Sequence, residues 1–281
     1  MPIDTIEKSL DEEFLDSIWK KFYRAVRDYK LIQPDDRIAV CISGGKDSML
    51  MAVCLRRLQR MKHLHFDLQY IVMDPGYNSA NMDMITYNAD IMSLPVQVYS
   101  TKIFSSAEKT KNPCFLCARL RRGWLYKKAQ ELGCNKIALG HHFDDVIETI
   151  LMSMLYGSQM KTMMPKLHSE NYSGVELIRP LYLVRECDVK LWAEHNGLKF
   201  ISCGCSVAEK NAAEQSGSKR AEIKALLEQL RKVNPAVDMN IFRSAENVNL
   251  QTLISYHIGE ERHHFLDDYD SGRTIRGTIN K

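Results

Sequence analysis

No apolar run in the 281 residues is long enough to span a bilayer, so an integral membrane protein is excluded as an expectation. The N-terminal stretch, Met1 to Asp16, is acidic and polar and lacks the pattern of a secretory leader. A cytoplasmic location follows as the expectation. Charge of one sign is also missing: the net charge is +3, which permits a nucleic-acid partner without demanding one. There is no internal repeat, no RRM or KH signature and no second Cys-x-x-Cys, so a solenoid, a ready-made RNA module and a Cys₄ zinc ribbon are all disfavoured. A hydrophobic fraction of 45% with 26% charged residues suits a folded chain with a sizeable core.

What is present is a phosphate cradle. The apolar run Ile38, Ala39, Val40, Cys41 leads into Ile42, Ser43, Gly44, Gly45, Lys46, Asp47, Ser48. Gly44 and Gly45 have no Cβ, so their backbone N–H groups can approach an anion closely. Lys46 adds a point charge, and the helix that starts at Met49 favours negative charge at its N-terminal end. Asp47 and Ser48 supply oxygens able to hold Mg²⁺. This is not a Walker A loop, because Asp47 follows the lysine and Val40 stands where that pattern needs glycine. Nor is it the Gly-x-Gly-x-x-Gly of a dinucleotide fold.

Periodicity predicts an N-terminal amphipathic helix within 1–30, carried by Phe14, Leu15, Ile18, Trp19, Phe22 and Val26. Five strands follow at Arg37–Ile42, Phe66–Met73, Val96–Tyr99, Lys136–Leu139 and Val175–Ile178, alternating with helices. The reading is an α/β fold: a doubly wound, mostly parallel five-stranded sheet over 31–205, with a C-terminal helical extension and tail over 206–281. Residues 156–174 have no clear period and read as a mobile loop over the site. A helix is expected from Met239 to Ser255, and a frayed tail from Tyr256 onward. In such sheets ligands sit beyond the carboxyl ends of the strands. Ser43, Asp74 and the segment Gly140, His141, His142, Phe143, Asp144, Asp145 all fall there.

The eight cysteines do not read as a disulfide framework. Cys41, Cys54 and Cys134 lie in apolar surroundings and are expected in the core. Cys114 and Cys117 form a Cys-x-x-Cys pair at a helix start, which serves metals and redox chemistry alike. A third thiol would come from Cys203 or Cys205. Three thiolates suit a [4Fe–4S] cluster with one iron open to an exogenous atom. Two basic sets could track an RNA backbone: Arg119, Arg121, Arg122, Lys127 and Lys128, and Lys219, Arg220, Lys224, Arg231 and Lys232. For the second set a solvated helix face is the favoured reading.

Taken together, these motifs resemble the tRNA 2-thiocytidine synthetase family, a branch of the pyrophosphate-loop ATPases of the adenine nucleotide alpha-hydrolase type. The likeness runs through the loop at Ser43, the stretch from Cys114 to Tyr126, Ala138 to Asp145, Tyr156-Gly157, Met164 to Leu167, Ile178 to Leu181, and Arg185-Glu186. It covers roughly 15–255. The resemblance implies an enzyme that uses ATP and Mg²⁺ to adenylate the C2 oxygen of a pyrimidine in tRNA, cytidine in the anticodon loop, releasing pyrophosphate. Sulfur from a cysteine desulfurase or free sulfide then replaces that oxygen at a [4Fe–4S] cluster. Cys114, Cys117 and Cys205 match the family's ligand positions, although the distal text here is Cys203-Gly204-Cys205-Ser206 rather than Cys-x-x-Cys.

By the same analogy Asp47, Arg121 and Asp145 are the catalytic candidates. Ser43, Gly44, Gly45, Lys46, Asp47, Ser48, Asp74, Gly140 and His141 would hold the nucleotide. Homodimers are common in the family. Two competing readings are a pyrophosphate-loop ligase acting on a small molecule, with structural or zinc-bound cysteines, and a non-catalytic ATP-binding iron–sulfur sensor.

Overall fold

The computed structural model describes residues 3–107, 110, 113–201, 219–267 and 269, without the side chains of Ala107 and Cys114. β1 (Asp36–Ile42) is buried at six of its seven positions, as a strand covered on both faces should be. Its alternate residues serve two cores. Ile38, Val40 and Ile42 join the larger cluster, while Ala39 and Cys41 join a smaller one with Tyr126 and Ala129. β1 pairs in parallel with β2 (Phe66–Asp74) on one side and with β4 (Lys136–Ala138) on the other.

Beyond β2 lies β3 (Val96–Ser100). Beyond β4 lies β6 (Glu176–Ile178), and then β5 (Lys166–His168), which runs antiparallel as the edge. The order is therefore β3-β2-β1-β4-β6-β5. The chain steps outward from β1 to β3, then returns to the other flank at β4. The topological switch thus falls between β1 and β4, and the crevice beyond their carboxyl ends is the place where such sheets take ligands.

Helices cover both faces. The larger core takes α1 (Ile3–Ser9), α2 (Lys20–Asp28), α3 (Lys46–Arg60), α4 (Ser79–Ile91), α7 (Phe143–Gly157) and α8 (Glu186–His195). It also takes α9 (Lys219–Val233) and α10 (Val237–Ser244). α6 (Pro113–Glu131), preceded by the short α5 (Ile103–Ala107), packs on the opposite face. At the strand starts, away from the crevice, Lys136 is 5% exposed and lies 3.2 Å from Asp36 and 2.7 Å from Glu176. It also donates to the Leu31 carbonyl at 2.9 Å. This triad ties β1, β4 and β6 together. A buried cation is tolerated only when it is satisfied in this way.

The structure departs from the sequence reading in four places. The sheet has six strands, because Lys166–His168 pairs with β6 inside the stretch expected to be a mobile loop. That stretch is also tied down from within: Tyr182 donates to the Met163 carbonyl at 2.7 Å, and Arg179 bonds the carbonyls of Met164 and Pro165. The N-terminal helix is broken into α1, a π-helical turn (Leu15–Trp19) and α2. The wider turn, with Trp19 N–H reaching Phe14 O at 3.0 Å, lets the adjacent Ile18 and Trp19 both bury. α10 stops at Ser244 rather than running to Ser255. Part of the expected tail is a hairpin, β7 (Ser255–Ile258) with β8 (Glu261–His264).

Candidate functional site

The loop after β1 closes on itself. Gly44 has φ +82°, and a Cβ there would stand 2.5 Å from Ile85 Cγ1 and 2.8 Å from Ile201 Cδ1, so only glycine fits. Ser48 donates to the Gly45 carbonyl at 2.9 Å and accepts from Ser43 N–H at 3.1 Å, with Ser43 Oγ also 3.1 Å away. One hydroxyl has one proton and two lone pairs, so these contacts use its whole capacity. Ser48 therefore shapes the loop here, rather than offering an oxygen to Mg²⁺. Gly45 caps α3 and leaves the first N–H groups of that helix facing the crevice end.

Lys46 and Asp47 are half-buried. Lys46 Nζ lies 3.0 Å from Asp47 Oδ2 and 3.5 Å from Glu186 Oε1. The second carboxylate oxygen, Asp47 Oδ1, is buried without a hydrogen-bond partner, and His142 Nε2 lies 3.8 Å from it. An orphaned carboxylate oxygen beside a lysine suits a divalent cation or a hydroxyl-bearing ligand.

The second wall is the turn after β4. A Cβ on Gly140 would come 2.8 Å from Ser48 N and 2.9 Å from Asp47 C, so the two loops meet backbone to backbone. α7 then begins with a capping box: His142 N–H donates to Asp145 Oδ2 at 3.0 Å, and Asp145 N–H donates to His142 Nδ1 at 3.3 Å. His141 is pushed down to about 4 by burial first and then by Arg179, and its Nδ1 has no partner. It is therefore a neutral imidazole at pH 7, able to bond but not to carry charge.

Between these walls lies a cavity of about 200 Å³. Ser43, Asp47, Ser48, Gly140 and His141 line it, with Met73, Leu125 and Leu139 as an apolar floor. Arg121 enters from α6. Cys117, half-buried, sits one helical turn before that arginine on the same side of α6. The cysteine-bearing helix and the loop at Ser43 thus border one space.

Asp74 is not among the lining residues. Its Oδ1 accepts from Gly76 N–H at 2.8 Å and Tyr77 N–H at 2.7 Å, which fixes the turn after β2. Cys203 and Cys205 lie outside the described residues, as does the side chain of Cys114. Among the described residues no three metal-ligating side chains converge. Cys41 and Cys134 are core thiols, pushed up to about 12 and about 11 chiefly by burial. They are poor nucleophiles at neutral pH. Cys54 is buried as well.

Sequence reasoning named Glu186 and the cations of α9 but missed that they pair. Glu186 lies between three lysines: Lys46, Lys190 at 3.3 Å and Lys224 at 3.3 Å. Burial works to raise its carboxyl, but Lys224, Lys46 and Lys190 outweigh that and bring it to about 2. Arg220 reaches Asp145 Oδ1 at 2.7 Å and the buried Glu148 at 2.7 Å. Arg185 and Arg231 share Asp144 and Asp238. Three of the five cations on the later basic helix, Arg220, Lys224 and Arg231, are thus paired with acids of α7, α8 and α10. They stay substantially exposed, as expected of a solvated face, but their charges are engaged by acids of the protein itself. The signal available in the sequence was the run of acids at the starts of α7 and α8, but the pairing spans dozens of residues.

Comparison with known proteins agrees with this geometry. The model of the PP-loop domain matches residues 15–206. The tRNA-cytidine(32) 2-sulfurtransferase of Geobacter metallireducens is 35% identical over 249 residues, covering 87% of this chain and 95% of that protein. The protein of the same name from Coxiella burnetii is 33% identical over 256 residues, covering 90% and 96%. Among solved structures, the U34-tRNA thiolase NcsA from Methanococcus maripaludis with its [4Fe-4S] cluster superposes with a TM-score of 0.63 at 23% identity. It covers 84% of this chain and 81% of its own, a likeness of fold. No described helix is long and apolar enough to cross a membrane. With more than four-fifths of its length aligned at this level of identity, the chain belongs to the tRNA-cytidine(32) 2-sulfurtransferase family of PP-loop proteins.

Proposed function

We propose that the chain is an ATP-dependent tRNA sulfurtransferase that replaces the C2 oxygen of a cytidine with sulfur, acting in the cytoplasm. The observation that carries this reading is the shared cavity: the phosphate loop and the arginine of the cysteine-bearing helix line the same 200 Å³ space. The C2 carbonyl of cytosine is amide-like and a poor electrophile. Its oxygen attacks the α-phosphorus of ATP, the bond to the β-phosphate bridge breaks, and pyrophosphate leaves. AMP is then the leaving group when sulfur bonds to C2.

Lys46 and the amides at the start of α3 hold the phosphates, and Arg121 neutralises charge that develops on the α-phosphate. Asp47, with its unpaired Oδ1, would hold a Mg²⁺ ion, which would supply positive charge against the phosphates. Asp145 keeps His142 and the turn in place through the capping box. His141 contributes a neutral hydrogen-bonding wall.

Cys117 fits a cluster ligand, since it lies on α6 one turn from an arginine of the cavity, and Cys114 and Cys205 would complete the set. A [4Fe–4S] cluster bound there would supply an open iron at which sulfur is held. The sulfur donor would be a cysteine desulfurase or free sulfide, and a homodimer is the expected assembly.

The test is an anaerobic preparation assayed for iron and for pyrophosphate release with and without tRNA. About four irons per chain and tRNA-dependent release, both expected of wild type, should split in K46A: iron retained, release lost. A colourless zinc protein that releases no pyrophosphate with tRNA would overturn the proposal.

A further inference from the structure

Among the described residues, Arg179 is a buried cation without a counter-charge. It is 8% exposed, and no described carboxylate lies within ion-pair distance of it. Among the described residues its one side-chain hydrogen bond goes to the Met164 carbonyl, and its Nε is buried with no partner there. Burial brings it down to about 10, and the nearby charges include another cation, Arg122. Asp145, the acid near enough to act on it, is already taken by Arg220 and by the capping box. Elsewhere the same fold pairs its buried charges fully, as at Lys136 and Asp144. A desolvated guanidinium with an empty donor is costly unless something anionic completes it.

Its position indicates what completes it. Arg179 directly follows β6, whose last residue, Ile178, accepts from Leu139 N–H at 3.0 Å, so it stands at the carboxyl end of the sheet beside the β4 turn that carries His141. Neutral His141 cannot serve as its partner. A guanidinium with open donors is matched to phosphate oxygens.

We infer that Arg179 binds a phosphate group of an incoming substrate beside the β4 turn, a counter-charge that no described side chain supplies. Two substrates of the proposed reaction, on which this inference rests, carry that chemistry: the nucleotide and the tRNA backbone.

The experiment measures binding of a non-hydrolysable ATP analogue and of a tRNA transcript to the full chain, in R179M, R179K and Y182F. Y182F removes the other bond holding the same loop, from Tyr182 to the Met163 carbonyl, without touching charge. A loss of about 10-fold or more in R179M for the analogue identifies the nucleotide as the source. A comparable loss for tRNA, with the salt slope reduced by about one, identifies the RNA backbone. R179K, which keeps the charge, should fall between and guards against a folding failure of R179M. Wild-type affinity for both probes in the Arg179 variants, or an equal loss in Y182F, overturns the inference alone. A wild-type chain that holds neither probe would overturn the functional reading first, and this inference with it.

Discussion

Gly140→Ala isolates the contact on which the nucleotide pocket is built. The added methyl would stand 2.8 Å from Ser48 N and 2.9 Å from Asp47 C and Ser48 Cα. All three are backbone atoms in the first turn of α3, so no side chain can rotate out of the way. Overpacking of this kind costs about 1–3 kcal/mol. For a chain of this size each kcal/mol moves the melting midpoint by about 2–4 °C, so a drop of about 2–12 °C is expected.

The functional loss should exceed the stability loss. Relief must push the β4 turn away from the loop at Ser43, and a shift of a few tenths of an ångström there misaligns Asp47 and His141 across the cavity. Calorimetry paired with titration of an ATP analogue measures both quantities. Gly157→Ala is the control: it sits at the end of α7 with its nearest contact, Met152 O, at 3.9 Å, and should be neutral or gain up to about 1 kcal/mol. If G140A melts with wild type and binds the analogue equally well, the two loops do not meet as described and the reasoning fails.

Three further outcomes are expected. In E186Q the acid sensitivity should change: the folded carboxyl at about 2 lies below its usual 4.5, so its contribution is present above pH 4.5 and is lost as pH falls towards 2. That contribution is roughly 3–3.5 kcal/mol before solvent screening reduces it, and the variant should show a flatter acid-unfolding curve over that window. R220M should destabilise by about 1–3 kcal/mol, measured by urea unfolding, because Glu148 is 2% exposed and would keep only Lys224 at 3.7 Å. The His141 ring should show no titration by NMR between pH 8 and about 5. Because its folded value lies below the usual 6.5, stability should fall as pH drops from 6.5 towards 4, and H141Q should flatten that slope. A His141 resonance that titrates near 6.5 would contradict its burial.

The cradle was legible because it is local. Six contiguous residues after an apolar strand encode strand, turn and helix start, and the structure puts Ser43, Asp47 and Gly140 where strand-end logic requires. The parallel core was legible for the same reason, since β1 reads as an unbroken apolar run. β5 was not, because three residues carry too little alternation to register and owe their strand state to pairing with β6. The electrostatic scaffold was invisible for a different reason. Lys224 and Arg220 look like a solvated stripe until folding brings them to Glu186 and Asp145, 38 and 75 residues away along the chain. Asp74 was ambiguous because a strand-end aspartate can serve a ligand or its own turn, and the hydrogen bonds from Gly76 and Tyr77 show its Oδ1 doing the second.

The grip of α9 on α7 and α8 bears on how this protein can be cut. The stretch that matches the PP-loop domain stops at residue 206, before Arg220, Lys224 and Arg231. A fragment ending there would face the triphosphate with Asp145 and Glu148 stripped of Arg220, and with Glu186 short of one lysine. The excised piece would carry these acids on α7 and α8 without the cations that now offset them. The charge balance of α7 and α8 is therefore completed by a helix that lies beyond the segment sequence comparison delimits.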